Sequence, residues 1–184
     1  MSLYQGLLGE QWNAVSPKVK NSHLSGTELL ASCCLDVVGS ASIVARVIRR
    51  IASLPAPERG APVTLHIRKT PEGEFWERIF PGCNLRSVQS QSPDGFLVDR
   101  FGMIAFSFRL EVLNGGIVHH HKSTYLLFGG LRFRLPWCIS PRVVSHEAPD
   151  ATEYASRITV SVSMPLLGHV VTYSGIVKPI TENA

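Results

Sequence analysis

Charge is sparse in this chain. Asp, Glu, Lys and Arg together make up 17% of its 184 residues, against about 25% in an ordinary globular domain. Disorder needs low hydrophobicity and high net charge, so a chain that is 45% hydrophobic is excluded from it. Cysteine is scarce too: Cys33, Cys34, Cys83 and Cys138. No two are spaced as C-x-x-C, which removes zinc ribbons and thioredoxin-type redox sites. The adjacent pair is poorly placed to bridge, so free thiols in a reducing compartment are expected. No G-x-G-x-x-G follows a strand pattern, and no G-x-S-x-G elbow marks a serine nucleophile. Long apolar runs are missing as well. The least polar window, residues 29–51, holds Asp36, Arg46, Arg49 and Arg50, so no membrane span is expected. The start, Met1-Ser2-Leu3-Tyr4-Gln5, carries no basic segment ahead of an apolar one, and a cytoplasmic location is expected.

What is present reads as one domain over residues 1–184, long enough to bury a sizeable core. Net charge is +4 and the isoelectric point about 9.0. The basic residues are dispersed and do not interleave with aromatics, so nucleic acid is not an expected partner. Residues 1–55 read as the helical part. Tyr4, Leu7, Leu8 and Trp12 fall at near-helical spacing, and Ser16-Pro17 is a helix start signal. The alternation at 29–37 favours a strand over a helix. Residues 40–54 give the strongest helical pattern. Its stripe of Ile43, Val44, Val47, Ile48, Ile51 and Leu54 is expected to face the core, with Arg46, Arg49 and Arg50 in solvent.

From 62 to 178 the pattern changes to period two, broken by turn residues. Ile104, Phe106, Phe108, Leu110 and Val112 alternate with Ala105, Ser107, Arg109 and Glu111. Asn114-Gly115 then marks a hairpin. The connections are too short for helical crossovers, so the sheet is antiparallel. The expected fold is α+β: a strongly curved antiparallel sheet or partly closed β-barrel of about nine strands, with the N-terminal helices packed against it. The segment 131–137 fits an edge strand, a lid or a partner surface.

Chemistry-bearing residues are few. His119 and His121 share one strand face, with His120 on the other. A two-residue Asn114-Gly115 loop sets them opposite Leu110 and Phe108, on the apolar face. A three-residue loop sets them opposite Glu111 and Arg109. They are then either packed or solvated histidines, a pocket-lining pair, or two ligands of a metal that still needs a third. Trp76, Arg78 and Phe80 share a face, on which the guanidinium pairs an acid such as Asp99 or Glu111, stacks on Trp76, or meets a carboxylate or phosphate ligand. Asp99 and Glu111 are the expected inward acids. Glu72, Glu74 and Glu77 lie near a turn and are expected in solvent. Tyr154, Tyr173 and Trp137 are expected near strand ends or cavity mouths.

Several patterns occur in a recognisable order. They are Leu3-Tyr4 with Leu7-Leu8-Gly9, then Pro17, Val19 and His23, then Gly73-Glu74 with Trp76-Glu77-Arg78 and Phe80. Asp99-Arg100-Phe101-Gly102, Asn114-Gly115-Gly116, Leu135-Pro136 and Pro165-Leu166-Leu167-Gly168 with Tyr173-Ser174-Gly175 follow. The ordered set resembles the bacterial domain of unknown function 4166 family. Members occur alone or after a saccharopine-dehydrogenase-like domain. The resemblance implies an oxidoreductase context and assigns no catalytic residue.

Three functions are therefore weighed. The leading expectation is a non-enzymatic binding module with an apolar cavity for a small, possibly acidic ligand. Its candidate residues are Trp76, Arg78, Phe108, Glu111, His119, His121 and Tyr173, with no cofactor and no metal. The others are a small enzyme or accessory domain of an oxidoreductase, and a structural domain that forms a homodimer.

Overall fold

A computed structural model describes residues 2–23, 26–152 and 154–180. The elements run α1 (Leu3–Leu8), a 3-10 segment (Gly9–Ala14), α2 (Pro17–Lys20), β1 (Glu28–Gly39), α3 (Ile43–Ile51) and β2 (Glu58–Thr70). Then come β3 (Gly73–Phe80), β4 (Cys83–Gln91), β5 (Leu97–Phe101), β6 (Ile104–Leu113), β7 (Gly116–Phe128), β8 (Leu131–Arg134), β9 (Arg142–Pro149), β10 (Ser156–Met164) and β11 (Gly168–Pro179). Among the described residues no helix is long and apolar enough to cross a membrane.

Alternating side chains give each strand one dry face and one wet face, and a sheet this long removes its edges by closing. The strand order is β6-β5-β4-β3-β2-β1-β11-β10-β9-β7, and β6 pairs with β7 to complete a ten-stranded antiparallel barrel. The eleventh strand, β8, hangs from β7 as a hairpin. All four of its residues are exposed, so its alternation of apolar and basic residues has no buried face to report. It is the edge strand among the three readings of that segment.

The Asn114-Gly115 turn has φ of 51° and 77°, the two positive values of a type I′ hairpin. Leu113 therefore pairs with Gly116, His119 with Leu110, and His121 with Phe108. This is the two-residue register. Further along, Ser107 pairs with Ser123, which leaves Lys122 as the extra residue of a bulge.

The lumen is built from the inward residues. Ala31, Cys33, Leu35, Val63, Leu65, Ile67, Trp76, Phe80, Phe108, Val171 and Tyr173 are all buried there. One end is capped by the N-terminal helices. Tyr4, Leu8, Val15 and Val19 are buried in it, Leu3 N donates to Glu74 Oε1 at 3.1 Å, and Ser16 N donates to Gly115 O at 2.9 Å. Lys18 Nζ clamps the same cap to the Asp150 and Thr152 carbonyls.

Helix α3 lies at the far end, against β11, and its orientation overturns the expected one. Ala45 is fully buried, while Ile43, Val44, Val47 and Ile51 are all more than half exposed. Arg49, expected in solvent, points inward; its Nη1 is buried over Gly39, where a Cβ would come within 2.1 Å of it. A helix of nine residues covering a barrel end needs only a narrow footprint, and the small Ala45 with the long Arg49 one turn later supplies it.

Candidate functional site

Polar side chains gather in the lumen beneath the cap. Tyr4 enters from α1, and its hydroxyl lies 3.0 Å from Gln89 Oε1 and 3.0 Å from His119 Nε2. Gln89 Nε2 donates to Asp99 Oδ2 at 3.2 Å. The hydroxyl has one proton, and Gln89 Oε1 can only accept. The Tyr4 hydroxyl therefore donates to Gln89, and the direction of its contact with His119 Nε2 follows the imidazole tautomer. Asp99, Gln89, Tyr4 and His119 form one chain across β5, β4, α1 and β7.

Burial governs the titration of this chain. It raises Tyr4 well above its ordinary value, with the charges of Asp99, Glu74 and Glu147 adding to the effect. It raises Asp99 as well, against the Arg78 charge and hydrogen bonding from Ser87 and Gln89. It lowers His119 to about 4, helped by His23; Glu147 and the Ser145 backbone pull the other way. A second buried cluster lies alongside. His23 Nε2 sits 3.0 Å from Glu147 Oε2, and Ser156 Oγ donates to Glu147 Oε1 at 2.5 Å. Burial would raise Glu147, but the His23 charge and the Ser156 and Ser22 hydroxyls outweigh it and hold the carboxyl below its ordinary value. Tyr4→Phe keeps the ring and removes the hydroxyl. It leaves His119 Nε2 and Gln89 Oε1 without the hydroxyl and is expected to cost about 1–3 kcal/mol, read as a lower melting temperature with an unchanged circular-dichroism spectrum.

Arg78 stands apart. It faces the lumen from β3 but is only half-buried. Its guanidinium donates one hydrogen bond, to Ser87 Oγ at 3.2 Å, and lies 5.0 Å from the Trp76 ring centre. Among the described residues it has no ion-pair partner; neither Asp99 nor Glu111 fills that role. Tyr173 is buried on the opposite wall, raised by burial, with its ring 5.6 Å from Phe80.

The candidate residues thus divide. Trp76, Arg78, Phe108, His119 and Tyr173 meet in the lumen. His121 is half-buried at its margin, its Nδ1 3.5 Å from Val143 N. Glu111 is on the outer wall, 2.7 Å from His120 Nε2, because β6 keeps strict alternation there. Trp137 and Tyr154 are exposed, whereas Tyr173 is inside. Of the two expected inward acids, Asp99 is buried and Glu111 is not; Glu74 and Glu147, not expected inside, are buried as well. Glu74 shares parity with Trp76, Arg78 and Phe80, a signal outweighed by its nearness to a turn. Tyr4 gave no polar signal at all, since a Tyr in an apolar helical stripe reads as core. Among the described residues no group of three His, Cys, Asp or Glu could hold a metal ion.

Among the described residues the wall has a seam beside β7. β7 pairs with β9 only through Ile117, Val118 and His119, and with β8 only from Tyr125 onward. The stretch between runs beside an open groove of about 820 Å³, lined by His120, His121, Lys122, Arg134, Trp137 and Arg142 among others. Thr124 Oγ1 donating to Pro141 O at 2.8 Å ties the crossing loop to it.

No curated protein and no solved structure matches the chain. A family model described as "Domain of unknown function (DUF4166)" matches residues 16–176. That span covers every barrel strand except the last residues of β11, and the whole of the seam, and the chain belongs to this family.

Proposed function

We propose that the barrel is a binding module for a small amphiphile with a carboxylate head, held in the lumen with the head on Arg78. The observation that carries the reading is the unpaired guanidinium. A lumenal Arg that, among the described residues, has one hydrogen bond and no ion pair has spare donors in the fork geometry that suits a carboxylate. Its surroundings are the apolar and aromatic walls of Trp76, Phe80 and Tyr173, the usual lining of a ligand site with few polar groups. Inward residues Phe106, Val143, Ile158 and Val162 are only partly buried, which supports free space in this half of the barrel. Trp76 and Phe108 narrow the rest, so the ligand is small.

The test is native mass spectrometry of the purified protein and calorimetric titration with medium-chain fatty acids, on wild type, Arg78→Met and Arg78→Lys. Arg78→Met is expected to bind roughly 10- to 100-fold more weakly, with Arg78→Lys between the two. Its melting temperature is expected to hold or rise, since an unpaired charge has left the interior. Absence of any bound carboxylate, or equal affinity in Arg78→Met, refutes the reading.

A second reading, a small enzyme, draws support from the convergence of His119, Asp99 and Tyr4 with shifted titration. It ranks lower because Tyr4, Gln89 and His119 are spent on one another. Substrate turnover that survives Arg78→Met but is lost in Tyr4→Phe would favour it.

A further inference from the structure

Exposed apolar side chains are unevenly placed on this barrel. On α3, Ile43 is 73% and Ile51 79% exposed, with Val44 and Val47 on the same outward face. The turns at the same end add their own: Met103 between β5 and β6, Phe128 and Leu131 between β7 and β8, and Leu166 between β10 and β11. The capped end exposes fewer of this kind, Leu30, Leu113, Tyr154 and Ile180, spread over separate turns and strand ends. A soluble surface rarely gathers so much apolar area at one pole without a partner.

Charge follows the same axis. Arg46 and Arg50 flank the outward stripe of α3, Arg59 begins β2, and Arg134 and Arg142 border the β8–β9 loop. All are exposed, and among the described residues none has an ion-pair partner. Acids are few at this pole: Glu58 and Asp36, whose Oδ1 accepts from Gly60 N. The opposite pole mixes its cations with Glu10, Glu28, Glu72, Asp94, Glu111 and Asp150. Apolar side chains interleaved with unpaired guanidinium groups complement one surface in particular, the headgroup layer of an anionic bilayer. A protein partner would need an apolar patch ringed by acids; a lipid surface supplies both without further fit. The outer wall carries Arg68, Glu77, Arg86, Arg109 and Arg157, so the barrel would lie on the membrane by one end and not span it.

We infer that the α3 end of the barrel docks peripherally on anionic membrane surfaces, with Ile43, Val47 and Ile51 entering the headgroup region and Arg46 and Arg50 meeting lipid phosphates. The inference stands on surface residues alone and does not depend on a ligand in the lumen.

The experiment is sedimentation of the full chain with phosphatidylcholine vesicles, with and without about one-third phosphatidylglycerol. Wild type is expected on the anionic vesicles and not on the neutral ones, and to be released by salt. Arg46→Gln with Arg50→Gln is expected to weaken partitioning about 10- to 30-fold, at about fivefold per charge. Ile43→Ser, Val47→Ser and Ile51→Ser together are expected to abolish it, whereas Leu113→Ser at the capped end changes nothing. The exposed positions leave the fold intact, which circular dichroism checks. No binding to anionic vesicles overturns the inference, as does equal binding to both compositions. A wild-type dimer in sedimentation velocity that the α3 serine variants turn into monomer also overturns it, since a second copy then covers the face.

Discussion

Gly175→Ala is expected to lower stability by about 3 kcal/mol, a fall in melting temperature of roughly 6–12 °C for a chain of this size. Gly175 pairs with Leu35 across the β1–β11 junction. A Cβ built there would lie 2.0 Å from the Cys34 carbonyl oxygen and 2.9 Å from Leu35 Cα. Both are backbone atoms, so no rotamer change can relieve the clash. Nor can the strands part easily. β1 is held on its other side by β2, and β11 by β10, so any shift at Gly175 propagates around a closed ring. The residue is therefore glycine for close approach, not for a left-handed backbone angle. Gly95 is the useful contrast. Its φ is +78° and nothing lies within 4 Å of its would-be Cβ, so Gly95→Ala costs only the backbone strain, about 1–2 kcal/mol. Thermal melts of the two variants separate the mechanisms. Equal stability of Gly175→Ala and wild type would mean that the β1–β11 junction is looser than this spacing requires.

The same barrel explains which features were legible in the sequence. Strands β2 to β7 alternate cleanly because each has one face in the lumen and one in water, and Asn114-Gly115 fixes the hairpin register by its own backbone preference. Closure was not legible. The β6–β7 pairing comes with the hairpin, but the β1–β11 pairing joins segments almost 140 residues apart, and no local pattern encodes it. Ring closure is also what turns Glu74, Gln89, Asp99 and Glu147 towards one another. On an open sheet the same alternation would leave their partners unspecified. Helix α3 failed for a different reason. The stripe of Ile43, Val47 and Ile51 marks an apolar surface, but the pattern cannot say whether the barrel or something else covers it. The face shared by Trp76, Arg78 and Phe80 left the partner of Arg78 open, and its guanidinium lies 5.0 Å from the Trp76 ring centre. Which acid would meet it is not encoded in the alternation of β3, and Asp99, two strands away, accepts from Gln89.

Acid is expected to weaken the fold through His119 well before Glu147 takes up a proton. Burial lowers this imidazole from 6.5 to about 4 in the folded chain, while the unfolded chain keeps the ordinary value. The unfolded state then binds the extra proton first, so stability is complete above pH 6.5 and is lost progressively as pH falls toward 4. The full loss is about 3 kcal/mol at 1.36 kcal/mol per pH decade, a large part of a typical folding free energy of about 5–15 kcal/mol. The groups that face His119 are the Tyr4 hydroxyl from α1, His23 from the segment after α2, Arg78 from β3, and Glu147 and the Ser145 backbone from β9. Of these, Glu147 is held low, so its contribution is lost only as pH falls below the ordinary glutamate value. Asp99 is raised by burial and acts with the opposite sign, gaining stability as pH falls from neutral towards the aspartate range. Both remain when His119 is replaced by Gln, which cannot titrate, so the difference between the two proteins isolates the imidazole. Denaturant unfolding at pH 7, 5.5 and 4 makes the comparison. At pH 7 the His119→Gln variant is the less stable, since the Tyr4 contact is disturbed. Toward pH 4 the gap closes and then reverses, because wild type alone pays for a proton taken up on unfolding. Parallel stability curves across that range would mean that His119 is protonated as readily inside the barrel as outside it, and that the Tyr4–His119 end of the lumen is open to water.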